Sequence, residues 1–520
     1  MVETATANHS TSPNAADWAL WSIVLIVIVT VLRIAALALS QVELYPDESQ
    51  YWVWSREFDW GYFSKPPLIA WAIGVSTAIL GVSDFAIRLP APLFHAVTAS
   101  FIMLTARQLA GPRAGFWAAI VYLTMPAVFL SSGIISTDAV MMSFWAAGLF
   151  AATRLRDQSS WPMAVLLGCA IGFGFLAKYA MIYFVIGTGL AILIDPPARR
   201  ALVSLKGALA AIIGVLILLP NLLWNASNEF ATLQHTAANA NWGGSLFHFN
   251  EMAEFITAQL GVFGPALFLV LIFAAIASLR RALRFDGNPV RLLALYLLPA
   301  LIVVSFQAFI SRAHANWAAS AYVAGSVLVT LVLLDGRKWR QILLYLSIAM
   351  ATFAGMVFMA AALQPQWAND IGAANSFKRV RGWQASANAI SQASQDADVD
   401  ALMFDDRNVF HQMQRYGAAI ETPIYMWRRY GGAHNHADMT WPLPDDFTGN
   451  VLVVSERPYD VPRMRDDFDR FEPAGSISID LGGGHSRDFT LWRAQGYDRV
   501  LRDAEYEQRW AEIDASGGRD

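Results

Sequence analysis

Residues 18–40 read WALWSIVLIVIVTVLRIAALALS, 23 residues with Arg33 as their one charge. A helix of that length runs about 35 Å. That is enough to cross a hydrocarbon core of about 30 Å. Further apolar runs follow at 89–109, 114–130, 138–153, 161–177, 180–194, 202–223, 261–279, 292–310, 317–334 and 341–363. The pattern predicts eleven crossings. A twelfth apolar run, 67–82, follows Lys65-Pro66-Pro67 and has Gly74 at its middle. It is expected to be re-entrant or interfacial, because the segment before it is rich in Trp, Tyr and Phe, which anchor at headgroup level.

The composition agrees. Of 520 residues, 56% are hydrophobic and 15% charged, against about 25% charged in a soluble domain. The net charge of −4 gives no basic footprint for nucleic acid. A single cysteine, Cys169, excludes an internal disulfide framework and a thiolate zinc cage. The charge is unevenly spread. Residues 365–520 hold 25 acidic and 17 basic side chains, leaving 16 and 20 for residues 1–364. Two domains are therefore expected: a membrane domain over 1–364 and a soluble α/β domain over 365–520.

Basic residues orient the bundle. With 67–82 not crossing, one side receives Arg107, Arg113, Arg154, Arg156, Arg199, Arg200, Lys206, Arg280, Arg281, Arg284, Arg291, Arg337, Lys338 and Arg340. The other side receives Arg56, Lys65, Arg88, Lys178 and Arg312 in its short loops. The excess marks the cytoplasmic side, so the N-terminus is expected inside and the C-terminal domain outside. Residues 1–17 have no Lys or Arg and do not read as a cleaved signal peptide. In the tail, Ala401–Phe404, Val451–Val454, Ile477–Ile479 and Phe489–Trp492 read as strands. Phe377–Ala393 and Arg407–Tyr416 read as helices.

The unusual polar residues collect on the outer side. The first outer loop carries Asp47 and Glu48, then an aromatic helix with Tyr51, then Tyr62 and Lys65. Asp138 opens a later span, Lys178 ends another, and Arg312, His314 and Asn316 share a short loop. Charges near bilayer depth cost about 2.5–3.5 kcal/mol each at a helix centre, so they are paired or functional. Each also has a plainer reading. Asp47 and Asp138 could cap helices, worth about 1 kcal/mol. Lys65 and Lys178 could snorkel. The histidines His235, His248 and His314 have no metal-ligand spacing, so no metal site is expected. Taken together the cluster reads as chemistry. The acids Asp47 and Asp138 suit removal of a hydroxyl proton. The cations Lys65, Arg312 and Lys178 suit a leaving phosphate. Glu48, Tyr51, Tyr62, His314 and Asn316 are the neighbouring groups expected to hold substrate.

These motifs carry a resemblance. Pro46-Asp47-Glu48 running into Tyr51 and Trp52, then Trp60-Gly61-Tyr62-Phe63-Ser64-Lys65-Pro66-Pro67, resembles the first outer loop of the GT-C glycosyltransferases, bacterial family 39 and 83 type. Arg88-Leu89, Ser136-Thr137-Asp138, Gly172 to Tyr179, Leu223-Trp224-Asn225 and Asn316-Trp317 follow in the same order over about 1–335. That group includes relatives of protein O-mannosyltransferases and of lipid A aminoarabinose transferase. The resemblance implies inverting transfer of a sugar from a polyprenyl-phosphate donor on the outer face of a bacterial inner membrane. The acceptor would be lipid A, core oligosaccharide, another glycan or a protein. It implies Asp47 as base, Asp138 as the second acid and Lys65 as the donor-phosphate contact. Two positions depart from the aminoarabinose transferases: Ser64 stands where they have Glu, and Gln50 where they have Arg. The donor is therefore not read as aminoarabinose. No cofactor is called for with certainty, and a divalent cation is left open. A transporter or lipid-linked-sugar flippase is the alternative; it would place its charges at the bilayer midplane in repeated segments. An anchored binding module would have little use for eleven spans.

Overall fold

The computed structural model describes residues 14–240, 247–280 and 288–515. Residues 1–13, 241–246, Arg281 and Arg284 lie outside the described residues.

Each apolar run falls on helix. Ala15–Leu39 spans 25 residues and starts at Asn14, whose side chain accepts from the Ala16 and Asp17 backbone while Asp17 bonds back to Asn14. That reciprocal cap satisfies donors that a helix start leaves free. Ala15–Leu39, Asp84–Ala110, Leu205–Ser227, Pro289–Ile310 and Lys338–Leu363 are each long and apolar enough to cross a membrane alone. Two bent pairs pass the same test together: Tyr179–Ile194 with Pro196–Leu202, and Phe249–Phe263 with Pro265–Arg280. The second pair turns by 112° at Gly264, whose φ is +99°. The expected span 261–279 thus begins after this bend, at Pro265. The expected span 114–130 is broken at Met125, between Pro112–Thr124 and Pro126–Ser131. Leu68–Leu80 has 13 residues, about 20 Å of helix, too short to cross unaided.

The C-terminal region holds a five-stranded sheet: β1 (Ala401–Phe404), β2 (Ile424–Met426), β3 (Val451–Ser455), β4 (Phe468–Gly482) and β5 (His485–Tyr497). The order is β2-β1-β3-β5-β4. β1 runs parallel to both neighbours, and β5 is antiparallel to β3 and β4. β1 and β3 are buried throughout, as strands covered on both faces must be. Leu402, Phe404, Leu452 and Val454 pack with Trp383, Ile390 and Phe410 on one face. Ala401, Met403, Val451 and Val453 pack with Trp427, Met464 and Phe468 on the other. This is the two-residue alternation of a strand. The helix expected from Phe377 begins instead at Trp383. Gly382 precedes it at φ +77°, a conformation that suits glycine and interrupts the helix.

The sheet region sits on the first-loop helix, Pro46–Ser55. Ser49 donates to Gln412 at 2.7 Å, and Gln412 donates to the Leu44 carbonyl at 2.8 Å. Glu43 accepts from the Trp383 and Gln384 backbone at 2.6 and 2.9 Å, at the positive end of the Trp383–Ala397 helix. Asp84 pairs with Arg415 at 2.6 Å and accepts from Tyr416 at 2.7 Å. These contacts make the C-terminal region the roof of whatever the first loop builds.

Candidate active site

Between bundle and roof lies a cavity of about 2330 Å³, well above the roughly 300–1,000 Å³ of a small-molecule pocket. Its lower wall is apolar, with Phe129, Phe175, Tyr183, Val262 and Phe358. Leu130, Leu222 and Val303 line it too and are 45%, 40% and 41% exposed, so it opens towards the lipid-facing side of the bundle. Its upper wall carries Asp47, Tyr51, Lys65, Asp138, Lys178, His314 and Asn316. One space thus joins a path for an aliphatic chain to a cluster of charges.

The first loop is rigidly held. Pro46 starts a helix at its first position, where a missing N–H costs nothing. Glu48, not Asp47, makes the capping contact, accepting the Tyr45 N–H at 2.8 Å. Glu48 is fully buried, and Arg88 grips it through Nη2 at 2.7 Å and Nε at 3.0 Å. The Ile135 N–H fills a further oxygen site at 2.9 Å. Glu48 was expected to hold substrate; its carboxylate is instead committed to this buried pair, which fixes the helix. Tyr62 was expected there too. Its ring stacks on Trp54 at 4.9 Å, and its hydroxyl lies 2.9 and 2.7 Å from the Trp54 and Glu57 carbonyl oxygens. It closes the hairpin and does not line the cavity. The hairpin also docks on the Leu205–Ser227 helix: Asn221 donates to the Trp60 carbonyl at 2.7 Å and Trp224 to Asp59 at 2.6 Å. Gly61 permits this, since a Cβ there would meet the Trp224 ring at 2.3 Å.

With Glu48 engaged, Asp47 points its half-buried carboxylate at the cavity. Among the described residues no donor bonds it. Lys65 opens onto the same wall, and no acceptor bonds its ammonium among the described residues. Burial and the charge of Lys178 lower its pKa to about 8, against the pull of Asp47 and Asp138. The Tyr51 hydroxyl is pushed well above its ordinary value by burial, then by Asp47 and Asp138. Asp138 is differently placed. Lys178 reaches one of its oxygens at 2.7 Å and Asn316 the other at 2.9 Å. Both oxygens are occupied, so Asp138 orients Lys178 and Asn316, and Asp47 is the acid with a free carboxylate. His314 lines the cavity edge-on to Trp317 at 5.3 Å.

Arg312 is not part of this wall. The chain leaves the Pro289–Ile310 helix at Ser311 and leaves Arg312 exposed, while residues 314–317 turn inward around a short 3-10 helix. The sequence reading missed the cations of the roof, Lys378, Arg379, Arg407 and Arg487, of which Arg407 acts most on the charges of the first loop. Arg407 lines the cavity from the roof, and its charge bears on Tyr51, Lys65 and His235. Asp405-Asp406-Arg407 follows β1, and Glu456-Arg457-Pro458 follows β3. Arg407, Glu456 and Pro458 all face the cavity. The carboxyl ends of parallel strands are where open α/β sheets meet ligands. Charged residues directly after two apolar runs, Asp405-Asp406-Arg407 and Glu456-Arg457, were the available signal. Among the described residues no three His, Cys, Asp or Glu side chains group as metal ligands.

A helical bundle that brings a free carboxylate and a desolvated ammonium to the head of an apolar channel defines an integral-membrane enzyme acting on a lipid-borne substrate. A family model described as dolichyl-phosphate-mannose-protein mannosyltransferase matches residues 64–224. Lipid A galacturonosyltransferase RgtD of Rhizobium johnstonii is 32% identical over 428 residues, covering 82% of this chain and 89% of that protein. Lipopolysaccharide core galacturonosyltransferase RgtB of the same organism is 27% identical over 280 residues, covering 52% and 56%. The crystal structure of ArnT from Cupriavidus metallidurans bound to undecaprenyl phosphate superposes with a TM-score of 0.65 at 15% identity, covering 92% of this chain and 98% of that one. That last likeness is one of fold. The chain belongs to the bacterial GT-C glycosyltransferases, the family of RgtD, and is a membrane-embedded sugar transferase.

Proposed function

We propose that the chain transfers a hexuronate, galacturonate by its likeness to RgtD, from a polyprenyl phosphate to lipid A on the periplasmic face of a bacterial inner membrane. The observation that carries this reading is the 32% identity to a lipid A galacturonosyltransferase along 89% of its length. The channel supports it, since an apolar lower wall leading to an upper wall that carries the Lys65 ammonium suits a lipid phosphate. The excess of basic residues on the opposite side supports the periplasmic placement of the site. Residues 1–364 are then the catalytic membrane unit and 365–520 a periplasmic unit that closes over it.

The chemistry follows from the free groups. The Asp47 carboxylate takes the proton from the acceptor hydroxyl as its oxygen bonds to the anomeric carbon. The bond from that carbon to the phosphate oxygen breaks on the far side, and the electron pair leaves with the polyprenyl phosphate. Attack opposite the leaving group inverts the centre. Lys65 meets the charge growing on the phosphate, with Lys178 held beside it by Asp138. A desolvated ammonium does this better than a hydrated one, because the site is already organised when charge develops.

The test uses purified full-length protein in proteoliposomes with polyprenyl-phosphate galacturonate and lipid A. Wild type should add hexuronate to lipid A, read by mass spectrometry. Asp47→Asn should lose about 10²–10⁴-fold in turnover, the usual worth of a general base, while still binding undecaprenyl phosphate. Near-normal turnover by that variant would remove Asp47 from the step. Unmodified lipid A alongside another labelled acceptor would overturn the acceptor.

A further inference from the structure

Arg407 is the first residue of the Arg407–Tyr416 helix and reaches the cavity from the roof. The acids around it are committed elsewhere. Asp406 pairs with Arg457 and caps the helix through the Asn408 and Val409 N–H groups. Asp405 accepts from Ser455 and from the Glu456 and Arg457 backbone. Glu456 faces Arg487 at 3.7 Å. Among the described residues no carboxylate bonds or pairs with the Arg407 guanidinium.

The charges around Lys65 then separate. Asp47, Asp138, Lys178 and Arg407 are the charges that bear on it. Lys178 and Asp138 neutralise each other at 2.7 Å. Asp47 is the free acid required by the acceptor hydroxyl. Of the charges that bear on one another here, two cations are left for the donor, Lys65 and Arg407; the roof's other lining cations are placed differently, Arg379 donating to Tyr45, Arg487 facing Glu456 and Lys378 lying exposed. A polyprenyl-phosphate sugar carries one negative charge at its phosphodiester, which a compact ammonium answers as a point charge. A neutral sugar would leave Arg407 half-buried without a counter-ion, which is unfavourable. A uronate brings a second anion, and its planar carboxylate matches the planar two-pronged guanidinium.

We infer that Arg407, a residue of the soluble region, determines donor specificity by binding the carboxylate of the uronate sugar while Lys65 holds the phosphate. This rests on the uronate reading above. Transfer would then depend on the roof being in place, because the carboxylate contact comes from it and not from the bundle.

The experiment compares wild type, Arg407→Gln and Arg407→Lys as full-length protein in proteoliposomes. Each is given polyprenyl-phosphate galacturonate and, separately, polyprenyl-phosphate galactose, which lacks the carboxylate. Each is tested on lipid A with and without its phosphates. Wild type should prefer the acidic donor. Arg407→Gln should collapse the ratio of kcat/KM between acidic and neutral donors by about 100-fold, the worth of a charged hydrogen-bonded contact, chiefly through donor KM. Arg407→Lys should recover part of it. Retained binding of sugar-free undecaprenyl phosphate reports that Arg407→Gln is folded. Equal loss on both donors, or no loss on either, overturns the proposal. So does an effect that follows the acceptor phosphates, which would make Arg407 an acceptor contact. A wild type that uses the neutral donor and refuses the acidic one brings down the donor reading itself, a result distinguishable from failure of Arg407 alone.

Discussion

Raising the pH from 7 to 9 should weaken the enzyme through a single side chain. Lys65 has its pKa lowered to about 8, by burial first and by the Lys178 charge second. Below that value it is an ammonium and meets the donor phosphate; above it, it is neutral and contributes little. The sign is therefore a fall in kcat/KM for donor as pH rises, because kcat/KM reports the ionisations of the free enzyme. With a midpoint near 8, the charged fraction drops about tenfold between pH 7 and 9, and kcat/KM should follow it. Neighbouring groups do not supply this limb. The Tyr51 hydroxyl is pushed well above its ordinary value and stays protonated. His235 is lowered to about 4, by burial and then by Lys65 and Arg407, and stays neutral throughout. The assay is initial transfer rate against donor concentration in proteoliposomes at half-unit pH steps. Lys65→Arg is the control, since a guanidinium remains charged over the whole range; its limb should vanish even if its rate is lower. A flat wild-type profile, or the same limb in Lys65→Arg, would refute the assignment of Lys65 to the donor phosphate.

Two further outcomes are expected. Glu48→Gln leaves Arg88 buried without its partner, and both side chains are at most 2% exposed, so the variant should lose about 3–5 kcal/mol, seen as a lowered unfolding midpoint in detergent; adding Arg88→Met should restore part of it. Lys178→Met and Asp138→Asn break one ion pair from either end. Turnover of the double variant should be no worse than that of the poorer single variant, because coupled residues are not additive.

Much of this architecture is legible in the sequence because membrane physics demands it. A run such as 18–40 has few alternatives to a helix that leaves no backbone group unsatisfied in lipid. The buried strands β1 and β3 are short apolar runs and read directly. The hairpin of β4 and β5 is visible only at its apolar centre, around Ile477–Ile479 and Phe489–Trp492, because most of β4 is exposed and polar. β2 is three residues long and carries no pattern. In the site, Asp47, Tyr51, Lys65, Asp138, Lys178, His314 and Asn316 share one cavity, in line with the expectation that they lie on one side of the bundle. What a sequence cannot display is how polar groups are shared out. Glu48 and Asp47 are neighbours, yet the first is taken by Arg88, while the second meets no donor among the described residues and lines the cavity. Tyr62 spends its hydroxyl on backbone carbonyls, and Arg312 turns away where the chain exits its helix. Arg407 lies 342 positions beyond Lys65 in the chain, and only the docking of the sheet on the Pro46–Ser55 helix brings the two to one cavity.

The central claim is that the Asp47 carboxylate and the Lys65 ammonium serve one reaction centre at the head of the lipid channel. A cryo-EM map of the full-length protein with undecaprenyl phosphate tests it most directly. The prediction is a chain threaded past Phe129, Val262 and Phe358, with its phosphate in hydrogen-bond contact with Lys65 and facing the wall that carries Asp47. A phosphate bound outside this cavity, or inside it but out of reach of Lys65, would contradict the account.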